Sequence, residues 1–223
     1  MSFMLNNDVK ETTCTELFKA AYENRYTWES NFPGYEGSCS WTDGTREMKG
    51  RFCLGIDLKA TVKEIDDEKI NKAISSQLWE VAIHRVKRSF EQTHGENTFT
   101  YGETSEIGSE IIVGGKNKGD KYRVKNDVVT MVYRHIHGNL IVIHTKDVTH
   151  TNNGYLSKSY TSQYLDPISK KDLKGKNFYK DDFKPLFKGG PWVLASRSIH
   201  QESLEGSILN KQIFSFSELK SLD

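Results

Sequence analysis

Several devices that hold small domains together are scarce in this sequence. Its 223 residues contain only three cysteines, Cys14, Cys39 and Cys53. An odd number cannot all pair within one chain, and their spacing matches no zinc motif. Reduced thiols in a reducing compartment are therefore expected. Proline is rare, at four residues, and there is no low-complexity tract or internal repeat. No run of 18 apolar residues occurs, so a transmembrane helix is not expected. The opening MSFMLNNDVKETT lacks the charged-then-apolar design of a signal peptide, and a cytoplasmic protein is expected. An excess of one charge is missing too. The 31 basic and 30 acidic residues nearly cancel, which disfavours a nucleic acid as partner, because phosphate binding draws on a basic surplus. Common catalytic signatures are also absent. GGKNKG at 114–119 lacks phosphate-loop spacing, and neither HExxH nor GxSxG occurs.

What is present is regular patterning. A chain of this length buries roughly 70% of its unfolded surface, enough for one stable core. Residues 1–11 are polar and expected to be loose, and 1–223 is read as a single domain. Thr13-Cys14-Thr15-Glu16 fits a capping box, followed by the apolar stripe Leu17, Phe18, Ala21 and Tyr22 of a first helix. Asp43-Gly44 closes a hairpin between strands at 35–42 and 45–54. A further extended run spans 58–64. Asp66 is expected to cap one long helix over about 67–92, with Ile70, Ala73, Ile74, Leu78, Val81, Ala82 and Val86 on one face. Gly95 is expected to end it in a left-handed conformation. At 1.5 Å per residue such a helix is roughly 39 Å long.

Beyond it, closely spaced strands run from about 97 to 201 and favour an antiparallel meander. The tail SFSELKSL is expected to be a short helix. The sum is an α+β fold: a strongly curved antiparallel sheet of about ten strands, a half or full barrel, with an N-terminal helix and the long helix across its concave face.

Four groups of residues are candidates for chemistry. The hairpin Val128–Thr149 carries His135, His137 and His144. A two-residue turn at Gly138-Asn139 sets His137 opposite Leu140, His135 opposite Val142 and Tyr133 opposite His144. The three imidazoles then share one face and form a possible zinc set with an open position. A one-residue slip would send His144 to the other face. A second group is Trp79, His84 and Arg85 on the long helix, with Arg85 and Arg88 suited to a carboxylate or phosphate. A third is the aromatic segment Tyr22, Tyr26, Trp28, Phe32 and Tyr35, which either rims an apolar pocket or plugs the end of a barrel. A fourth is the Lys-rich loop at 167–177, which either touches an anionic partner or membrane surface or is simply a solvated loop, the reading preferred here.

The strings AAYENRYTWESNFPGY, QLWEVAIHRVKRSF, YRHIHG and GYLSKSY resemble an uncharacterised cyanobacterial and plastid family, known only as a domain of unknown function. The resemblance covers nearly the whole chain and implies a photosynthetic lineage, with no activity or catalytic residue to carry over. The order of elements is also similar to that of the periplasmic lipoprotein carriers, which is a likeness of architecture without a shared motif. Two functions follow as expectations. One is a binding or carrier protein for an apolar or amphipathic molecule, a lipid or a tetrapyrrole-type pigment, using Tyr26, Trp28, Phe32, Trp79, His84 and Tyr133. The other is a metal- or histidine-dependent enzyme built on His135, His137 and His144. An assembly or scaffold role, with a protein partner, stays open beside them. No motif identifies a cofactor.

Overall fold

The computed structural model describes residues 12–223, so the expectation for 1–11 lies outside the described residues. Twelve strands form one sheet in which every neighbour is antiparallel. In chain order they are β1 Gly34–Thr42, β2 Glu47–Gly55, β3 Ala60–Lys63, β4 Asn97–Ser105, β5 Gly108–Gly115, β6 Lys121–Lys125, β7 Val128–Ile136, β8 Asn139–Thr151, β9 Gly154–Leu165, β10 Lys176–Pro185, β11 Trp192–Glu202 and β12 Ile208–Ser221. The order across the sheet is β3-β2-β1-β12-β11-β10-β9-β8-β7-β6-β5-β4. Among the described residues β3 and β4 are the sheet's two edges, so the sheet is open and does not close into a barrel.

The pairing register carries one face through the whole sheet, because directly opposed residues share a side. Ile111, Tyr122, Val132, Ile143, Ser162, Asn177 and Gln201 lie on it through the half that ends at β4. Tyr160, Tyr179, Asp181, Arg197, Phe214 and Trp41 continue it towards β3. All three helices pack on this inner face. α1 (Cys14–Glu23) has the expected capping box, Thr13 with Glu16. It lays Phe18 and Tyr22 on Ile111, Val113, Tyr122, Val124 and Val129. α2 (Glu68–Ile83) covers the other end, with Ile70, Ile74, Leu78, Val81 and Ala82 against Tyr35, Trp41, Phe52, Leu54 and Phe214. Burying each such side chain is worth ~2 kcal/mol. The molecule therefore has two apolar clusters, one at each end of one sheet.

Four expectations are corrected, the first being that the cap of α2 is Asp67, whose carboxylate accepts from the Lys69 and Ile70 amides, and not Asp66. The long helix is two helices: α2 stops at Ile83, and α3 (Phe90–His94) starts anew behind its own capping box of Ser89 and Gln92. The break has a local cause, since Ser89 competes for the amides and the Arg85 carbonyl accepts a hydrogen bond from Trp28 instead of continuing the helix. At 16 residues α2 is about 24 Å long and covers one end of the sheet. Gly95 caps α3 in right-handed geometry at φ −61°. Finally, the tail SFSELKSL is strand, because Phe214 and Phe216 are buried and alternate with Ser215 and Ser217 at the period of β12.

His94 ends α3 inside the aromatic cluster, ringed by Phe18, Tyr22, Phe90, Phe99 and Tyr122 with centroids 5.0–6.0 Å away. Burial, and then the charges of Arg134 and Arg25, push its pKa down from 6.5 to about 4. The core thus holds the neutral ring. Above pH 6.5 neither folded nor unfolded chain is protonated there, and the contribution is fully present. As the pH falls, the unfolded chain takes up a proton that the folded one refuses. Stability should therefore decline between pH 6.5 and about 4 by up to about 3 kcal/mol from this residue. His94→Phe keeps the ring and should flatten that part of a urea-unfolding profile measured across this pH range. An unchanged slope would show that His94 is not the titrating group.

Candidate functional site

The middle of the inner face differs from its two ends. α1 packs mainly against β4, β6 and β7, and α2 against β1 and β3. The inward side chains of β8–β10 lie between them, and Ile141, Ile143, Tyr160 and Tyr179 are all partly exposed. Val132 on β7 and Ile199 on β11 continue the strip to either side.

Arg197 anchors one border of this strip. It is 2% exposed and lies directly opposite Asp181. Its guanidinium has five N–H donors, and each has an acceptor. Nε and Nη2 donate to the two Asp181 carboxylate oxygens at 2.8 and 2.7 Å. Nη1 donates to Gln77 Oε1 at 2.9 Å and Glu80 Oε1 at 3.1 Å, and Nη2 also donates to the Tyr160 hydroxyl at 2.8 Å. Tyr160 stacks on Tyr179 with centroids 4.6 Å apart. One side chain thus ties β9, β10 and β11 to α2. Burial lowers the arginine's affinity for its proton, but Tyr160, Asp181 and Glu80 outweigh that and raise the pKa. Burial also lifts the Asp181 carboxyl, against the pull of Arg197. The bidentate geometry decides in favour of a charged pair. With all donors used, Arg197 is a fastener and not a free anion site.

Arg85 and Arg25 are placed differently. Arg85 follows the C-terminal end of α2, where a cation suits the helix dipole. Its Nη1 donates to the Tyr26 carbonyl at 3.1 Å, but its buried Nε has no hydrogen-bond partner. Arg25 lies over the Tyr22 ring at 3.8 Å and donates from Nε to the Tyr22 carbonyl at 2.8 Å. His84 keeps exposed surface, yet protein atoms packed around it, and then Arg85, Arg25, Arg197 and Arg88, push its pKa down.

The other expected site residues are dispersed. Tyr26 and Trp28 are buried at 6% and 7% and fasten β11: the Trp192 amide donates to the Tyr26 hydroxyl, and Trp28 Nε1 donates to the Trp192 carbonyl, both at 2.9 Å. Phe32 packs on Trp28 at 4.8 Å. These aromatics fill the core and form no pocket rim. Trp79 falls outside the buried face of α2 and is 51% exposed. Tyr133 lies on the outer face, beside His135.

The histidine set does not assemble. The hairpin turn sits on His137-Gly138, both left-handed at φ 49° and 77°, as a primed two-residue turn requires. The register is therefore two residues from the expected one: His135 opposes Leu140, Tyr133 opposes Val142 and Met131 opposes His144. An even shift keeps His135 and His144 on the same outer face, but it separates them by four positions along the strand, about 13 Å, and leaves His137 in the turn. His135 is instead held by the buried Asp120, whose Oδ1 accepts from the His135 amide at 2.9 Å and lies 3.0 Å from Nδ1. Among the described residues no group of three His, Cys, Asp or Glu side chains is placed to hold a metal ion.

The two best-formed hollows are open, of about 340 Å³ beside Ser38, Lys49 and Arg51 and about 230 Å³ beside Lys125, Thr145 and His150.

The class this defines is an open antiparallel sheet with helices on one face and an uncovered strip between them. Residues 9–222 match the family described as "Protein of unknown function (DUF3386)", and the chain belongs to that family. No curated protein matches the sequence. Among solved structures, a LolA superfamily protein from Nitrosomonas europaea is similar at 8% identity and a TM-score of 0.31, over 96% of this chain and 95% of that one. A DUF1329 family protein from Desulfovibrio piger is similar at 10% identity and a TM-score of 0.29, over 95% of this chain and 94% of that one. Likenesses this weak carry nothing about function, which has to be read from the inner face itself.

Arg197→Met should cost roughly 3–5 kcal/mol, because it leaves Asp181 buried and unpaired. The double variant Asp181→Leu/Arg197→Met should recover most of that loss. Urea unfolding of the single and double variants measures both, and a single variant as stable as the parent would refute the fastener role.

Proposed function

We propose that this protein binds or carries an apolar or amphipathic small molecule on the uncovered strip between α1 and α2. The observation that carries this reading is the set of partly exposed inward side chains on β8–β10, Ile141, Ile143, Tyr160 and Tyr179, on strands outside the main packing of α1 and α2. On an inner face that is otherwise sealed by two apolar clusters, aliphatic and aromatic groups left in water gain by being covered, at about 25 cal/mol per Å². A lipid is our preferred ligand class, since the strip joins aliphatic Ile141 and Ile143 to the aromatic Tyr160 and Tyr179. A tetrapyrrole-type pigment, suggested by the resemblance to a photosynthetic family, is the alternative. An absorption spectrum of protein purified from its own source separates the two.

The strip makes a face-specific prediction. Ile143→Glu puts a carboxylate on the strip and should weaken binding of the neutral dye Nile red roughly tenfold or more, because an apolar ligand would desolvate that charge. His144→Glu, one residue along but on the outer face, should leave dye binding unchanged. Fluorescence titration reads both. Equal effects of the two substitutions, or no dye binding by the parent protein, would sink the assignment.

A further inference from the structure

Two arginines on the inner face lack what the other arginines there have. On that face Arg134 and Arg197 each pair with a carboxylate, as Arg46, Arg51 and Arg123 do elsewhere on the molecule. Among the described residues, Arg85 and Arg25 form no ion pair. They are brought together by the link that leads from α1 to Trp28: Arg85 donates to the carbonyl of Tyr26, the residue after Arg25, and its own carbonyl accepts from the Trp28 amide. Arg85 also lies within electrostatic reach of Tyr160 and Tyr155 on β9 and Asp181 on β10, and 5.9 Å from the Phe183 ring centroid. Tyr160 is an inward residue of the strip, and Ile143 opposes Ser162 two residues further along β9.

Two cations within electrostatic reach of each other, neither in an ion pair, repel each other, which costs stability in a protein-dense setting. A buried guanidinium nitrogen without an acceptor adds a further desolvation cost. The dipole of α2 explains why a cation suits position 85, but not why its Nε is left without an acceptor or why Arg25 stands beside it. A bound anion would remove both costs, since a guanidinium fork matches the two oxygens of a carboxylate or phosphate. The Arg85 side chain is held by a single hydrogen bond, so turning Nε towards the strip sacrifices little.

We propose that Arg85 and Arg25 form a subsite for the anionic head group, carboxylate or phosphate, of an amphipathic ligand whose apolar part lies over Ile141 and Ile143. The inference rests on the strip reading above and narrows it to acidic amphiphiles. Burial first, and then Arg85, Arg25, Arg197 and Arg88, depress the pKa of the nearby His84.

The test compares four probes on the full chain by isothermal titration calorimetry: decanoate, decyl phosphate, the neutral decanol, and inorganic phosphate. Decanoate and decyl phosphate should bind roughly tenfold or more tightly than decanol, the worth of one charge-assisted hydrogen bond. Arg85→Gln and Arg25→Gln should each bring the anionic probes close to the decanol value and leave decanol itself unchanged. Having two variants keeps the test decisive if one fails to fold, which thermal melting reveals. Equal binding of decanoate and decanol, unmoved by either substitution, overturns the head-group subsite and leaves the strip intact. Binding of inorganic phosphate with no added affinity from the decyl chain overturns the strip together with the amphiphile. Absence of binding by any probe overturns both.

Discussion

The arrangement depends on a single buried guanidinium. Arg197 contacts side chains from two neighbouring strands and one helix, and its five donors are matched by Asp181, Gln77, Glu80 and Tyr160. Planar geometry and full satisfaction make the group tolerable in a protein interior. They also fix where α2 lies, because Gln77 and Glu80 reach the guanidinium only when the apolar stripe of α2 faces Tyr35, Leu54 and Phe214. A polar clasp at one flank and an apolar face at the other thus set the helix's position. The uncovered strip begins at that clasp.

An open sheet of twelve strands has more inner surface than three short helices can cover. The two apolar clusters seal its ends, and the link through Tyr26 and Trp28 stitches them together by hydrogen bonds to β9 and β11. The central strands are left with partly exposed aliphatic side chains and stacked tyrosines. Such a surface is neither a packed core nor an ordinary polar exterior. The free edges are managed separately: β3 is only four residues long, and β4 bears a register shift, features that discourage pairing with another chain.

Much of the fold was legible in the residues. The capping box at Thr13, the apolar stripe of α2 and the alternation of the central strands are local patterns, and local patterns survive into the structure. Failures came where a local signal had two readings. Ser89-x-x-Gln92 lies inside an apolar stripe that continues as far as Phe90, and the stripe alone reads as one helix. In the tail, Glu218-Leu219-Lys220 suggests helix, whereas the Phe214 and Phe216 alternation prevails because β1 and β11 flank β12 and supply its hydrogen bonds. The site was less legible. Arg197 had one available signal, a charge at an inward position of β11, but inward could not be told from outward before the strand pairings were known. Arg25 and Arg85 are 60 positions apart in the chain, and no spacing rule connects them.

By itself, then, the sequence determined an antiparallel α+β domain without disulfides or the commonest catalytic motifs, because composition and periodicity depend on residues close together in the chain. Register, helix placement and the meeting of charges depend on contacts between distant segments. Tertiary structure alone decided that the hairpin turns on His137-Gly138, which dissolves the histidine set. It alone decided that the aromatic segment plugs the core, and that two arginines stand unpaired beside an uncovered apolar strip. The physical reason is the same in each case: a half-buried strand pattern fits more than one partner register, and only the packed sheet selects among them.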